Sequence, residues 1–149
     1  VKNKNNKGRT DKKRIQILTP DMIAVKEKRD FLNKHAWYDV GELSPHLENH
    51  FHRITLVNNE MTERLTIDIG VRFSNLFLET TASLNHIAII ELKRDGYTFS
   101  PMRTILRDLR IQPASISKYC IGSVLTDPSL KQNCLKPKIR NINKLNNRD

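Results

Sequence analysis

The sequence predicts an α+β fold in which antiparallel strands carry an unusually charged face. Residues 63–73 and 86–94 alternate between two kinds of side chain with the period of two that is typical of strands. Residues 51–57 form a third such segment, and the turn residues 58–60 predict an antiparallel hairpin between it and the segment at 63–73. Two further segments, which begin at Pro20 and Pro101, repeat apolar residues at helical spacing.

The strand predicted at residues 63–73 has two very different faces. Its apolar face consists of Leu65, Ile67, Ile69, Val71 and Phe73. Its other face consists of Arg64, Thr66, Asp68, Gly70 and Arg72. The segment at 86–94 repeats this pattern, with Glu91 and Lys93 on one face. Two strands with such faces predict a charged interior surface, as expected where a barrel encloses a highly charged ligand.

The first part of the chain predicts a basic hairpin. Cations recur at alternate positions on either side of an Asn/Gly-rich turn, at Lys2, Lys4, Lys12 and Arg14. Ile15 and Ile17 alternate with polar residues, which favours a strand over the alternative, a disordered basic tail. Because Val1 leads directly into this hairpin, we expect residues 1–149 to be the C-terminal part of a single domain whose upstream strands are absent or supplied by another chain.

Helix-start signals predict two helices. Thr19 is suited to cap a helix that has Pro20 at its first position and runs to about Asn33. Ser100 and Pro101 begin another, which a later proline ends.

The C-terminal third of the chain is less regular. A short helix is predicted at residues 115–121. The segment at 131–149 interleaves cations with apolar residues, and it fits either a packed helix or a partly ordered basic segment.

Composition favours an anionic partner. The chain of 149 residues has 26 Lys and Arg against 16 Asp and Glu, a formal charge of +10. Nucleic acid, phosphate, polyphosphate and an acidic membrane surface all fit that charge. No apolar run approaches about 18 residues and no signal-peptide pattern is present, so we expect a cytoplasmic protein without a membrane span. In such a protein Cys120 and Cys134 are expected to be reduced thiols.

The sequence contains no standard catalytic motif: it lacks a phosphate-binding loop, a nucleophile elbow and a zinc-ligand spacing. His50 and His52 could bind a metal, but ordinary strand histidines fit as well. Phosphoryl transfer needs little covalent chemistry from a protein, because cations around the phosphates and a carboxylate for a divalent metal suffice. A carboxylate among many cations is expected to stay ionised. Residues of the required types are Lys2, Lys12, Arg14, Arg53, Arg64, Glu91 and Lys93.

Six short motifs occur in an order that resembles one known family. They are Lys-x-Lys at 2–4, Gly-Arg-Thr-x-Lys-Lys-Arg at 8–14, Arg-x-Thr-Leu-Val-Asn at 53–58, Glu-Arg-Leu-Thr-Ile-Asp at 63–68, Ile-Glu-Leu-Lys at 90–93 and Ser-Lys-Tyr-Cys at 117–120. Together they resemble the VTC domain, the polyphosphate polymerase domain of the vacuolar transporter chaperone complex and its bacterial relatives. That family belongs to the triphosphate tunnel metalloenzymes. The resemblance extends from about Lys2 to Leu145.

The resemblance implies an antiparallel sheet that forms part of a triphosphate-tunnel barrel, with helices packed outside. It also implies transfer of the γ-phosphate of ATP onto a growing polyphosphate chain, with ATP and polyphosphate as partners and Mn²⁺ or Mg²⁺ as cofactor. The implied phosphate ligands are Lys2, Lys12, Arg14, Arg53, Arg64, Lys93 and Lys118. Arg53, Arg64 and Lys93 are also implied to act in catalysis, and Glu91 is implied to bind the metal. Asp68 and Ser117 fit the family's pattern.

Three alternatives stay open at the level of sequence. A tunnel enzyme that hydrolyses triphosphate or polyphosphate would need nearly the same residues. A nucleic-acid-binding module fits the charge, but the strand faces lack the interleaved aromatic residues that base stacking requires, so no nucleic acid is expected. Alternating charges also fit ordinary ion pairs on an exposed sheet. Because the family's upstream strands are missing, activity is expected of the full-length protein rather than of this portion by itself.

Overall fold

The fold is that of a computed structural model, which describes residues 1–4, 6, 10–16, 26–36, 41, 43–94, 96 and 99–146. The chain divides into two compact units, Val1–Pro45 and His46–Asp149. In the described residues, the first unit contains a two-stranded sheet and a helix, and the second contains a four-stranded sheet and three helices. The predicted α+β fold with antiparallel strands is therefore confirmed.

In the first unit, the predicted basic hairpin is confirmed, but its second strand ends at Lys12 and does not reach Ile15 as predicted, while Ile17 lies outside the described residues. Strand β1 (Lys2–Lys4) pairs antiparallel with strand β2 (Thr10–Lys12), and Lys2 lies directly opposite Lys12. The α-amino group of Val1 donates a hydrogen bond to the carbonyl of Lys13 at 2.9 Å. The backbone N–H of Lys13 donates in return to the carbonyl of Val1 at 3.0 Å. These two bonds extend the pairing by one residue on each strand.

In the second unit, strand β4 (Glu63–Asn75) is the centre of the sheet. Strand β3 (Leu47–Val57) pairs with it along one edge. Two strands share its other edge: β6 (Ile89–Arg94) pairs with the first half of β4, and β5 (Thr80–Leu84) pairs with the second half. All three pairings are antiparallel. Strand β5 is missing from the sequence prediction, because its residues Thr-Thr-Ala-Ser-Leu show only weak alternation.

The predicted hairpin between β3 and β4 is confirmed, with a connection at residues 58–62. Asn58 stabilises this connection: its side-chain oxygen accepts a hydrogen bond from the backbone N–H of Glu63 at 2.8 Å, and its amide donates to the Thr62 hydroxyl at 2.9 Å. The turn is followed by a register in which Val57 lies opposite Arg64. Strand β3 begins four residues before the predicted segment at 51–57. Strand β6 begins three residues later than the predicted segment at 86–94.

A β-bulge at Gly70 divides β4 into two halves with opposite alternation. The pairing register between β3 and β4 shifts by one residue here. Gly70 has a φ of +60°, a left-handed conformation that glycine adopts without strain. The extra residue moves Val71 and Phe73 onto the face that carries Arg64, and it moves Arg72 onto the opposite face. The prediction that Arg72 shares a face with Arg64 is therefore wrong, because it assumed uninterrupted alternation.

The described helices are α1 (Lys26–His35), α2 (Pro101–Asp108), α3 (Lys118–Thr126) and α4 (Lys136–Asn146). The predicted start of α1 at Thr19 and Pro20 lies outside the described residues. Ser100 caps α2, as predicted, and Ser117 caps α3. Helix α3 begins three residues later and ends five residues later than predicted. Of the two possibilities for the tail, the packed helix is confirmed, since α4 buries Ile142.

Helix α3 packs against the second half of β4. Its close approach depends on Gly122, because a Cβ there would overlap the Phe73 ring and lie 2.8 Å from the Leu47 side chain. The buried core consists of Val71, Phe73, Leu84, Ile89, Ile121 and Ile142. Val71 and Phe73 of this core follow the bulge on β4, whereas Ile89 pairs with Asp68 just before it.

Neither sheet closes into a barrel within the described residues. In the four-stranded sheet, β3 forms one edge, while β5 and β6 form the other. None of the helices in the described part of the chain is both long enough and apolar enough to cross a membrane. Cys120 and Cys134 are free thiols at the surface, as predicted.

Candidate functional site

The pairing register gathers four predicted site residues onto one face of the second unit's sheet. Arg64 lies between Val57 and Lys93 on the neighbouring strands, and the next row places Thr66 between Thr55 and Glu91. In the row after that, Arg53 lies opposite Asp68. We name this surface the charged face; it comprises Arg53, Thr55, Arg64, Thr66, Asp68, Glu91 and Lys93.

Beyond the bulge, the charged face continues into the apolar surface that α3 covers. Helix α3 therefore lies on the same side of the sheet as the charged residues. The resemblance implied helices packed outside the barrel. Helix α3 differs, because it lies on the charged side of the sheet. The reason is the bulge at Gly70, which turns Phe73 toward the charged side, where it packs against Gly122.

One end of the charged face is a group of ion pairs around the buried carboxylate of Asp68. Arg53 donates two hydrogen bonds to the Asp68 carboxylate, from Nε at 2.6 Å and from a terminal nitrogen at 2.8 Å. Lys118, in the first turn of α3, donates from Nζ to the same carboxylate. The Asp68 side chain is only 2% exposed, whereas 41% of the Arg53 side chain is exposed. We name Asp68, Arg53 and Lys118 the Asp68 cluster; it ties α3 to the sheet.

The ring of Phe51 lies beneath both cations of the Asp68 cluster. The guanidinium carbon of Arg53 is 5.0 Å from the ring centroid, and Nζ of Lys118 is 4.6 Å from it. Phe51 shares the charged face because it stands two residues before Arg53 on β3. The prediction that no aromatic residue accompanies the strand cations is therefore wrong. The two cations and the partial burial of Phe51 leave less of its ring available for base stacking.

The Asp68 cluster holds its carboxylate in the ionised form. The hydrogen bonds from Arg53, followed by the hydrogen bond and the charge of Lys118, lower the pKa of Asp68 from 3.8 to about 2, against the opposing effect of burial. The same hydrogen bond from Arg53 to Asp68 raises the pKa of Arg53. The expectation that a carboxylate among these cations stays ionised concerned Glu91, for which it stays a prediction. With two cations and one anion, the cluster has one net positive charge.

The other end of the charged face is open to solvent. Nζ of Lys93 lies 3.1 Å from Oε1 of Glu91, and 51% of the Glu91 side chain is exposed. Arg64 is also exposed, and it has no ion-pair partner within the described part of the chain. We name Glu91, Lys93 and Arg64 the Glu91 cluster. Between the two clusters, the buried hydroxyl of Thr66 has no hydrogen-bond partner among the described residues.

Glu91 is the carboxylate of the charged face that fits a divalent metal ion. In the residues that the structure describes, no three His, Cys, Asp or Glu side chains converge, so the protein forms no closed cage there. Mg²⁺ commonly keeps several waters and binds through one or two carboxylates together with substrate phosphates. Glu91 fits that mode, whereas both oxygens of Asp68 are bound by cations. His50 lies 3.1 Å from the Glu48 carboxylate and resembles an ordinary strand histidine.

Lys2, Lys12 and Arg14 lie in the first unit, and all three are exposed. Lys2 and Lys12 face each other across the hairpin, and like charges directly opposite destabilise a pair of strands. None of the three has an ion-pair partner within the described residues. The neighbouring Lys13, by contrast, lies 3.6 Å from Asp11. A bound anion would relieve the repulsion between Lys2 and Lys12.

Sequence reasoning missed the central position of Asp68. The residue fits the family's pattern, but its two cation partners are not evident from any motif. The contact with Arg53 depends on the hairpin register, which the five-residue connection at 58–62 sets. The contact with Lys118 spans 50 residues of sequence, and no local signal indicates where α3 docks.

A comparison with protein-family models matches the VTC domain over residues 1–126. No curated protein and no solved structure matches the chain. The matched range extends from the basic hairpin to the end of α3, so it includes the residues of the charged face and the whole Asp68 cluster. Since the match spans well over half of the 149 residues, the chain belongs to the VTC domain family.

Proposed function

We propose that this chain binds ATP and polyphosphate through its cations and takes part in metal-dependent transfer of the ATP γ-phosphate to a polyphosphate chain. Membership of the VTC domain family supports a polyphosphate-related function. The proposal of phosphate transfer rests on the charged face, where cations from β3, β4, β6 and α3 lie near one solvent-accessible carboxylate, Glu91. Such a combination suits a ligand with many negative charges and a bound divalent metal.

Phosphate binding is assigned to the cations that keep free donors. Arg64 and Lys93 are exposed neighbours on adjacent strands, so both can donate to phosphate oxygens. A guanidinium has five N–H donors, and the hydrogen bonds from Arg53 to Asp68 use two of them. Lys118 likewise keeps N–H donors beyond the one directed at Asp68. On the hairpin of the first unit, Lys2, Lys12 and Arg14 are proposed as further phosphate ligands.

In the proposed transfer, an oxygen of the terminal phosphate of the chain attacks the γ-phosphorus of ATP, and ADP leaves. Arg53, Arg64 and Lys93 stabilise the charge on the phosphoryl oxygens, since such transfers depend mainly on positioning and electrostatics. Glu91 would hold Mn²⁺ or Mg²⁺, which neutralises phosphate charge when bound.

We propose further that the charged face is one wall of a tunnel. On this face Thr66 and Asp68 are buried, whereas Ile54 and Leu56 on the opposite face are each 49% exposed. An ordinary half-buried sheet covers its apolar face and exposes its polar face. Leu65 on the opposite face is buried and Arg64, Glu91 and Lys93 are exposed, so the reversal is confined to part of the sheet. The burial of Thr66 and Asp68 on the polar face supports a charged face that belongs to the interior of a larger enclosure, and further strands would be needed to close it.

The proposal is tested by incubating the full-length protein with ATP and Mn²⁺ and separating the products by gel electrophoresis. Chains longer than pyrophosphate are expected, and Glu91→Gln should abolish them. Release of orthophosphate without chain growth would instead indicate a hydrolase. Salt-dependent RNA binding that polyphosphate does not displace would indicate a nucleic-acid-binding module.

A further inference from the structure

Asp68 has no task in the proposed transfer, yet it is the most enclosed charge on the charged face. It lies beneath Arg53 and Lys118, two cations that a polyphosphate chain would approach. An anion at this point opposes the binding of another anion. Its presence therefore requires an explanation beyond electrostatic attraction of the ligand.

We propose that Asp68 is a positioning residue that fixes Arg53 and Lys118 in place and, through its charge, limits how tightly the phosphate chain is held. This inference rests on the proposed function, because it concerns the same site. It adds a role for a residue that contacts neither the phosphate chain nor the metal.

The positioning role follows from the geometry of the two cations. Arg53 belongs to β3 and Lys118 to α3, and both lie within 5.0 Å of the centroid of the Phe51 ring. Two cations at one ring repel each other, so their shared position depends on the carboxylate that binds both. Arg53 is held by two hydrogen bonds, which fix the plane of its guanidinium as well as its position.

The link through Asp68 also joins separate parts of the fold. Ser117 caps α3 and Lys118 follows it directly, so the ion pair anchors the first turn of this helix to β4. The rest of α3 is anchored by apolar packing around Gly122 and Phe73. Asp68 therefore sets the distance between Arg53 on β3 and Lys118 on α3. Apolar packing alone would fix that distance less directly.

The charge of Asp68 has a second consequence. It reduces the net charge of the Asp68 cluster from two to one, and so lowers the affinity for a polyanion. Tighter binding of substrate and transition state alike lowers KM without raising kcat. A polymerase has to let its product chain advance after each transfer. Cations that are held in place but partly neutralised can position the chain without binding it too tightly.

The test compares Asp68→Asn, which removes the charge at nearly constant shape, with Asp68→Glu, which keeps the charge. Asp108→Asn is the matched control, since this exposed carboxylate on α2 changes the net charge equally. Triphosphate and polyphosphate affinities are measured by calorimetry over a range of salt concentrations, and kcat and KM are measured in the full-length protein with ATP and Mn²⁺.

Asp68→Asn is expected to bind polyphosphate about tenfold tighter at low salt, with a steeper salt dependence, because the cluster gains one net charge. Its kcat is expected to fall by about 10- to 100-fold, because the released cations lose their fixed positions. Asp68→Glu should recover part of kcat, and Asp108→Asn should match the wild type in both measurements.

The accessibility of Lys118 provides a test that does not depend on enzymatic activity. Reductive methylation followed by mass spectrometry should label Lys118 more slowly in the wild type than in Asp68→Asn, and triphosphate should protect it in both. If Asp68→Asn equals the control in affinity and kcat, or loses both only in proportion to its unfolded fraction, the inference is overturned while the proposed function stands. If the wild type binds neither triphosphate nor polyphosphate, the proposed function fails and takes the inference with it.

Discussion

Asp68 and Glu91 are carboxylates on the same face of the same sheet, but their surroundings differ. Asp68 is buried and forms ion pairs with two cations, whereas Glu91 is half-exposed and, among the described residues, forms an ion pair with Lys93 alone. Removing one partner of a buried ion pair is strongly destabilising, while exposed pairs contribute only about 0–1 kcal/mol. The comparison shows that burial and the number of bound cations, rather than residue type, distinguish the proposed positioning carboxylate from the proposed metal ligand.

The two environments arise from one feature of β4. The bulge at Gly70 turns Val71 and Phe73 toward the charged side, which lets α3 pack there. Helix α3 brings Lys118 to Asp68 and covers that end of the face. The Glu91 end lies nearer the start of β4, beside Arg64 and Thr66, where α3 brings no cation of its own, so its carboxylate remains accessible.

The largest expected effect is on stability. Asp68→Ala should reduce the free energy of unfolding by about 3–5 kcal/mol, because it leaves Arg53 and Lys118 without their shared counter-charge. Glu91→Ala should change it by less than about 0.5 kcal/mol, since that carboxylate is exposed. Urea denaturation of the two variants measures both. Equal losses of stability would contradict the distinction between the clusters.

The pH dependence of stability should show the same contrast at a smaller scale. The pKa of Asp68 is about 2 in the folded protein and 3.8 ordinarily, so the stabilisation is present above about pH 4 and is lost as the pH falls toward 2. The shift corresponds to about 2 kcal/mol. Denaturation curves between pH 2 and pH 6 should show this loss in the wild type and in Glu91→Gln. Asp68→Asn should lack it, and a wild-type pattern in that variant would assign the loss to another carboxylate.

The bulge itself provides a third test. Gly70→Ala should cost about 1–2 kcal/mol, because an L-residue is strained at a φ of +60°. A Cβ there would lie 3.7 Å from the His52 ring, an ordinary contact, so the cost is in the backbone. Gly96→Ala is the matched control, with a φ of +63° and open space around it. We expect the two variants to lose similar amounts of stability, but only Gly70→Ala to bind polyphosphate more weakly. Equal polyphosphate affinities in the two variants would show that the bulge does not shape the binding site.

Gly70 also marks the limit of prediction from sequence. Alternation correctly placed Arg64, Thr66 and Asp68 on one face, because pairing with β3 is regular up to residue 69. Past that point the alternation reverses. A glycine in a strand can indicate a bulge, but its direction and its effect on Arg72 depend on the pairing with β3.

The site shows a similar division. Residue types and motif order indicated Arg53, Arg64, Glu91 and Lys93, and the sheet register brings them to one face. Which of the neighbouring carboxylates is buried depends on how α3 docks, a tertiary contact without a local signal. For this reason, the sequence could identify the charged residues but not the separate surroundings of Asp68 and Glu91.

The smallest expected effect on stability is at Lys93. Lys93→Gln should change the free energy of unfolding by less than about 0.5 kcal/mol, because its contact with Glu91 is exposed and screened by water and salt. The same substitution should weaken polyphosphate binding by about three- to tenfold, since it removes a charge-assisted donor next to Arg64. Lys13→Gln is the matched control: its exposed pair with Asp11 resembles that of Lys93, and the change in net charge is the same. If calorimetry finds equal losses of affinity in both variants, overall charge and not the Glu91 cluster determines binding. A loss confined to Lys93→Gln would assign phosphate contact to the exposed cluster, where a residue can serve binding without contributing to the stability of the fold.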